Sequence, residues 1–271
     1  MPELPEVETT VRGLEPALLG QQLVRVDVRR PDLRREIPVD LRQRMTGARV
    51  TGLARRAKYG IIETDRGDSM VFHLGMSGRW RLDVDEPGPH DHLVIETEAG
   101  RVLALNDPRR FGSLDLVETA KLAEWPPFAA LGPEPLGEVL SGAYLKGVFA
   151  GRVAPVKALL LDQRVVAGLG NIYVCEALNM ARIAPGRQAG RISLSRLEVL
   201  ATSIRTVLAA AIEAGGSTIK DYARPDGQLG YFAKQWRVYG REGQPCPRED
   251  GTVIRTVDSG RSTFWCQSCQ T

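Results

Sequence analysis

The residues at the start of the chain, Met1-Pro2-Glu3-Leu4-Pro5-Glu6-Val7-Glu8, hold its most reactive chemistry. Proline after the initiator methionine is small enough for Met1 to be removed, which would leave a secondary amine beside the Glu3 carboxylate. An α-amino group titrates near pH ~8, so a useful fraction is an unprotonated nucleophile at neutral pH. Glu3 is of the right type to give or take the proton that such an attack moves. Pro5 suits the first turn of a helix, where its missing N–H is one of the unpaired donors. Taken alone, the same residues read first as a plain helix start.

Three further groups of residues each admit two readings, contact with a polyanionic, base-paired ligand or a purely structural role as a helix–helix turn, a loop anchor or a core methionine. Asn106-Asp107-Pro108-Arg109-Arg110-Phe111-Gly112 puts a cation and an apolar side chain together in a tight loop. Proteins that take a base out of a duplex need a wedge for the gap and a donor for the orphaned partner base. Met76, in the glycine-bracketed run His73-Leu74-Gly75-Met76-Ser77-Gly78, is a second candidate wedge. Gly168-Leu169-Gly170-Asn171 opens a helix, and free backbone N–H groups at such a start suit a phosphate.

Three of the four cysteines lie near the chain end, as Cys246 and the pair Cys266-Gln267-Ser268-Cys269. Two short Cys-x-x-Cys knuckles on a hairpin make a tetrahedral zinc site. Here the first knuckle has Glu249 where its second cysteine belongs, with Asp250 next to it. Zinc accepts a carboxylate oxygen, so either could complete the set. A hairpin that holds without metal is the alternative. Cys175, isolated in a helical pattern, reads as a small core residue.

Elements of two kinds must position these groups. A length of 271 residues, with 43% hydrophobic and 25% charged content, is ample for one or two globular domains. A net charge of +3 does not by itself demand nucleic acid. Arg29, Arg30, Arg34, Arg35, Arg42, Arg44, Arg55, Arg56 and Lys58 nevertheless crowd the first quarter, as a basic face opposite phosphates or simply a solvated surface. No run approaches the ~20 apolar residues of a membrane span, and no signal peptide opens the chain, so a cytoplasmic location is expected.

Residues 5–20 have a helical apolar spacing, and 21–118 alternate as short strands separated by turns such as Arg66-Gly67-Asp68 and Ala99-Gly100. The alternation implies a β-sandwich. Residues 119–150 are rich in proline and glycine and read as a connection. Helices follow over 157–166, 171–180 and from Ser195, where Ser195 and Glu198 have capping-box spacing, to a stop at Gly215-Gly216. The polar stretch 217–230 is long enough for a functional loop. The expected class is therefore α+β, divided as 1–132, a connection at 133–150, a helical domain at 151–235 and a cysteine hairpin at 236–271.

Taken in order, the Pro-Glu-Leu-Pro-Glu-Val-Glu start, Arg56-Ala57-Lys58-Tyr59, the Met76 run, the Arg109–Phe111 run, Gly170-Asn171-Ile172-Tyr173 and the terminal hairpin resemble the formamidopyrimidine-DNA glycosylase family over nearly the whole chain. The resemblance implies an N-terminal β-sandwich flanked by helices, and a C-terminal helix–two-turn–helix domain with a zinc-finger hairpin. DNA would lie in the cleft between them. It further implies a monomeric, bacterial, nucleoid-associated repair enzyme that excises oxidised purines from double-stranded DNA and then nicks the abasic strand.

By the same resemblance, the Pro2 amine attacks the sugar, Glu3 assists ring opening with Glu6 in support, and Lys58 and Arg261 serve β- and δ-elimination. Arginine is a poor proton donor, so Arg261 is read chiefly as a phosphate clamp. His73, His90, Arg109, Arg152 and Asn171 are implied DNA contacts. Met76, Arg109 and Phe111 fill the void left by the extruded base, and Lys220 lies on the loop that closes over it. Cys246, Cys266, Cys269 and Glu249 or Asp250 are the expected zinc ligands. The carboxylate in place of a cysteine is the one departure from the family pattern. Two rival readings are an endonuclease VIII-type enzyme for oxidised pyrimidines and a DNA-binding protein that has lost catalysis. Leu4 and the Arg109/Phe111 pair speak against the first, and intact Pro2, Glu3 and Lys58 against the second.

Overall fold

The computed structural model describes residues 1–217, 232–248, 250–258 and 260–271. Helix α1, Leu4–Leu18, has proline in its first turn and a capping box in which Glu6 Oε2 accepts from the Glu3 N–H at 2.9 Å. Its apolar stripe, Val7, Val11, Leu14 and Leu18, is buried, as the helical spacing required. Leu19 ends the helix in extended geometry and Gly20 turns the chain at φ +77°.

Eight strands follow: β1 Leu23–Val28, β2 Val50–Arg56, β3 Tyr59–Thr64, β4 Asp68–His73, β5 Arg79–Leu82, β6 Asp91–Thr97, β7 Val102–Asn106 and β8 Ser113–Glu118. They form two antiparallel four-stranded sheets, in the orders β1-β6-β7-β5 and β2-β3-β4-β8. Ile62, Met70 and Phe72 of one sheet join Leu93, Ile95, Leu103 and Leu105 of the other in one core. Apolar residues of α1 and of the short helix α2, Leu41–Met45, belong to the same core. This is the sandwich that the period-two alternation implied. The Gly67 and Gly100 turns carry φ of +74° and +76°, the left-handed geometry in which glycine pays no Cβ penalty.

The chain divides into two compact units, one built on Met1–Ala129 with residues 214–217 and one on Ala130–Glu213 with the described residues from Phe232 onward. The first unit ends in a short helix, α3 Pro126–Ala129. The second contains α4 Gly142–Phe149, α5 Val156–Leu161, α6 Asn171–Met180, α7 Leu194–Glu213 and the hairpin β9 Val253–Asp258 with β10 Arg261–Cys266.

Three sequence expectations shift. The stretch 133–150 is not purely a connection: Ser141 caps α4 by accepting from the Tyr144 N–H at 3.1 Å. Helix α5 stops at Leu161 rather than near 166, because the Asp162 carboxylate turns the next residues by accepting from the Arg164 N–H and guanidinium. Glu198 does not close a box with Ser195. Its Oε2 accepts instead from the Gly142 N–H at 3.0 Å, at the start of α4. No helix among the described residues is long and apolar enough to cross a membrane.

Candidate functional site

Strand register brings the first unit's candidate residues to one end of the sandwich. In one sheet Tyr59 pairs with His73 and His73 with Ser113; in the other Asn106 pairs with both Arg79 and Asp91. The turn holding Lys58, the 74–78 loop, the 107–112 loop and His90 therefore all leave the sheets at the same rim. Pro2 and Glu3 are buried at the start of α1, and Met1 is exposed. Glu8, one turn along α1, accepts from Arg55 Nε at 2.8 Å, and Arg55 Nη1 reaches the Ala57 carbonyl at 3.1 Å. That pair fixes α1 beside the turn carrying Lys58. Ala57 adopts φ +53° there, and Lys58 is 6% exposed.

Glu6 joins two segments far apart in sequence. One carboxylate oxygen holds the Glu3 N–H, and the other accepts from the Ser217 N–H at 2.8 Å. Gly216, at φ +83°, lies close enough that a Cβ would come within 3.3 Å of Glu6 Oε1. Lys220 lies outside the described residues.

His73 is held as a neutral donor. Its Nδ1 accepts from the Gly75 N–H at 3.0 Å, which leaves the ring proton on Nε2. Burial, followed by the positive charges of Lys58, Arg34 and Arg35, lowers its pKa to about 4. An uncharged N–H beside several cations suits a phosphate oxygen without adding another charge that must be desolvated.

The wedge candidates project from the rim. Met76 and Phe111 are 38% and 42% exposed, and the Arg109 guanidinium lies 4.8 Å over the Phe111 ring. That distance is within cation–π range. Arg110 takes φ +56° to turn the loop. Exposed apolar and cationic groups on a hydrogen-bonded turn are the combination a base-displacing wedge needs.

In the second unit, Gly168 at φ +83° and Gly170 lead into α6, and the Gln163 amide ties the turn through the Gly168 N–H and Leu169 carbonyl. Asn171 is the first residue of α6, and its Nδ2 donates to the Ser262 carbonyl at 2.7 Å. The helix start is thereby brought to the hairpin residue next to Arg261. Arg261 is exposed and pairs in register with Asp258. Beneath them Lys157, 3% exposed, donates to Thr263 Oγ1, which bonds the Asp258 carboxylate. Burial lowers the Lys157 pKa from the ordinary lysine value. Arg152 is exposed in the turn after α4, where its carbonyl accepts from the Gly190 N–H at 3.0 Å. The structure thus gathers Asn171 with Arg261 and leaves Arg152 on a separate turn.

Ligand atoms of Cys246, Asp250, Cys266 and Cys269 all lie within 4.8 Å of one another. Cys246 and Cys269 Sγ are 3.7 Å apart; Zn–S bonds of about 2.3 Å in a tetrahedron require about 3.8 Å. Burial first, and then hydrogen bonds with Cys246 and Cys266, push the Cys269 thiol up to about 12. Three thiols cannot ionise together at that spacing without a cation, so the donor set fits a metal. Of the two carboxylates weighed from sequence, Asp250 stands with the thiols; Glu249 lies outside the described residues. Gly251 permits the approach of the knuckles, since a Cβ there would meet Ser268 Oγ at 2.4 Å.

Sequence reasoning passed over several residues that the structure makes central. Asp107, Ser77 and Asp91 form the polar frame under the rim, and Lys157 and Asp258 the frame under Arg261. Asp107 and Ser77 lay inside motifs already singled out, whereas Asp91, Lys157 and Asp258 are polar residues that no local spacing marks.

Comparison with known proteins places these features. The family model for the formamidopyrimidine-DNA glycosylase N-terminal domain matches residues 1–114, and that for the formamidopyrimidine-DNA glycosylase H2TH domain matches 131–223. A formamidopyrimidine-DNA glycosylase of Rhizorhabdus wittichii is 72% identical over 271 residues, covering all of both chains. One of Novosphingobium aromaticivorans is 66% identical, again over the whole of both. The crystal structure of the MutM (Fpg) protein from Thermus thermophilus superposes with a TM-score of 0.89 at 43% identity, covering 99% of this chain and 98% of that one. A Lactococcus lactis Fpg mutant in complex with a Fapy-dG containing DNA gives 0.92 at 33% identity over the whole of both chains. The rim, the helical turn and the cysteine hairpin are parts of one known architecture, and the chain belongs to the formamidopyrimidine-DNA glycosylase family.

Proposed function

We propose that the protein is a bifunctional base-excision repair enzyme that flips oxidised purines out of double-stranded DNA, removes them, and nicks the resulting abasic site. The observation that carries this reading is the rim itself. It presents an arginine stacked on an exposed phenylalanine, beside a buried lysine and a neutral histidine. Met76, Arg109 and Phe111 fill the space of the extruded base. His73, His90, Arg109, Arg152 and Asn171 bind the DNA, mostly through phosphates, which fix register without reading sequence. Lys220 belongs to the loop that covers the flipped lesion. The protein works as a monomer in the bacterial cytoplasm, on nucleoid DNA.

The chemistry follows from residue types. With Met1 removed, the Pro2 nitrogen attacks C1′ of the damaged nucleotide as the bond to the base breaks, and the base leaves with a proton. Glu3 protonates the ring oxygen as the sugar opens, leaving an iminium between Pro2 and C1′. The iminium acidifies C2′; loss of that proton expels the 3′ phosphate, and a second elimination expels the 5′ phosphate. Lys58 exchanges protons in the first elimination, while Arg261 clamps a phosphate in the second. A single zinc ion held by Cys246, Cys266, Cys269 and Asp250 would cross-link the hairpin that carries Arg261, a structural role. Glu249 is the other carboxylate within reach of that role in sequence.

Borohydride trapping tests the reading. Protein beginning at Pro2 should become covalently attached to duplexes containing 8-oxoguanine and much less to thymine glycol duplexes. Protein with residues added before Pro2 should give no adduct and no base release. Equal trapping by the extended protein would remove Pro2 as the nucleophile. A preference for thymine glycol would move the enzyme to the pyrimidine-acting class.

A further inference from the structure

Asp107 is 1% exposed, and every polar group it has is engaged with a segment of the rim. Its N–H donates to the His90 carbonyl at 2.9 Å. Its carbonyl accepts from His92 Nε2 at 2.9 Å and from the Arg110 N–H at 3.2 Å. Its carboxylate bridges two loops: Oδ1 accepts from the Ser77 hydroxyl at 2.6 Å, and Oδ2 from the Gly112 N–H at 2.8 Å. Ser77 Oγ in turn accepts from the Arg109 N–H at 3.3 Å. Ser77 follows Met76, and Gly112 follows Phe111. One buried carboxylate therefore binds the residue next to each exposed apolar tip and, through Ser77, the backbone of Arg109.

The two loops also interlock sterically. A Cβ on Gly75, which has φ +61°, would stand 2.3 Å from the Phe111 carbonyl carbon, and one on Gly112 would stand 2.7 Å from the His73 carbonyl oxygen. Neither loop can shift without the other.

We propose that Asp107 is the positioning residue of the wedge: it fixes Met76, Arg109 and Phe111 as one rigid body before DNA arrives. This rests on the reading of those three side chains as void-filling groups. Insertion between base steps demands that several side chains enter together. A wedge free to move would lose that freedom on insertion, whereas a preorganised one does not. A carboxylate suits the place because both groups facing it are donors, and it accepts from each without offering a hydrogen of its own. Asp107 touches no reacting atom, and its effect is confined to substrates in which there is a void to fill.

The test compares borohydride trapping on one abasic oligonucleotide, single-stranded and as a duplex. Only the duplex leaves an orphaned partner base. Arg109→Ala and Phe111→Ala should each lower the duplex-to-single-strand ratio. Asp107→Ala should lower it by about tenfold, because small misplacements of positioning groups are amplified in rate. Adding Phe111→Ala to Asp107→Ala should lower it little further. Asp107→Asn should recover most of the ratio, since its amide can still accept from Gly112 and donate to Ser77 Oγ. Ser77→Ala cuts one arm of the bridge; it should lower the ratio even if Asp107→Ala does not fold. An unchanged ratio in Asp107→Ala and Ser77→Ala, with the wedge variants impaired, would overturn the positioning role alone. Equal loss on both substrates would reduce Asp107 to a general fold residue and overturn it too. An unchanged ratio in Arg109→Ala and Phe111→Ala would remove the wedge reading and this proposal with it.

Discussion

Asp107 in the sandwich and Cys269 in the hairpin are both nearly fully buried, at 1% and 7% exposure, and both stand behind exposed groups assigned to the DNA. Asp107 meets donors: Ser77 and Gly112 satisfy its carboxylate from within the same unit. Cys269 is approached by the Asn179 amide at 3.8 Å but otherwise meets other thiols, and burial first, then those thiols, push its pKa up. The rim is a frame closed by its own hydrogen bonds. The knuckles form a frame whose donors converge on a point where a cation belongs. The difference follows from size. The sandwich has two sheets and a helix to bury against one another. The hairpin has two strands, which are marginal alone and need a staple.

The largest test of this contrast is metal removal. Cys266→Ser, or a strong chelator, should release about one zinc per chain and accelerate amide exchange across 245–271 by at least a hundredfold. Structural zinc supplies roughly 10 kcal/mol or more to small domains, so the expected effect is far larger than any single hydrogen bond. Exchange in 74–78 and 107–112 should stay as it was, because that frame contains no metal ligand. Zinc near zero in the untreated protein with the hairpin already protected would show that the thiols pack without an ion. Faster exchange at both regions would show that the two frames are not independent.

How much of this was legible in the sequence divides along the same line. Periodicity reported α1 and the strands because their burial repeats every few residues, and the cysteines announced their own cluster. The site residues on loops were named from the motifs that contain them. What holds those loops was not legible. Asp107 meets Ser77 and His92 through a sheet register that no local pattern encodes. Glu198 misled for the same reason: three residues from Ser195 it has the spacing of a cap, but a distant helix start offered it a better donor. That Asp250 comes within ligand distance of the three thiols also needed three dimensions, since no spacing in the sequence gives it.

A smaller test concerns the rim's electrostatics. His73 has a folded pKa of about 4 against 6.5 for the free side chain. Protons therefore bind the unfolded chain first as pH falls. Stability contributed by the neutral ring is fully present above pH ~6.5, declines through the window down to pH ~4, and changes by roughly 3 kcal/mol across it. His73→Gln should flatten the dependence of urea stability on pH in that interval, with no change above pH 7. An unaltered slope would mean that another group sets the acid response. The effect should persist in chelated protein, because burial and the charges of Lys58, Arg34 and Arg35 are its causes and all belong to the first unit.

The smallest effect is expected from Glu198→Ala, and it separates two parts of the second unit. Gly142 sits against α7 so closely that a Cβ would fall 2.5 Å from the Glu198 nitrogen. Removing the exposed Glu198 carboxylate leaves the Gly142 N–H without that acceptor, a loss of about 1 kcal/mol. The helices here are held as the rim is held, by a carboxylate answering backbone donors, although they share a unit with the cysteines. If the contrast lies between kinds of frame rather than between units, the loss should be the same with and without chelator, as for independent sites. A Glu198→Ala penalty that disappears once zinc is removed would mean that the α4–α7 joint depends on the hairpin, and would extend the metal-dependent region into the helical core.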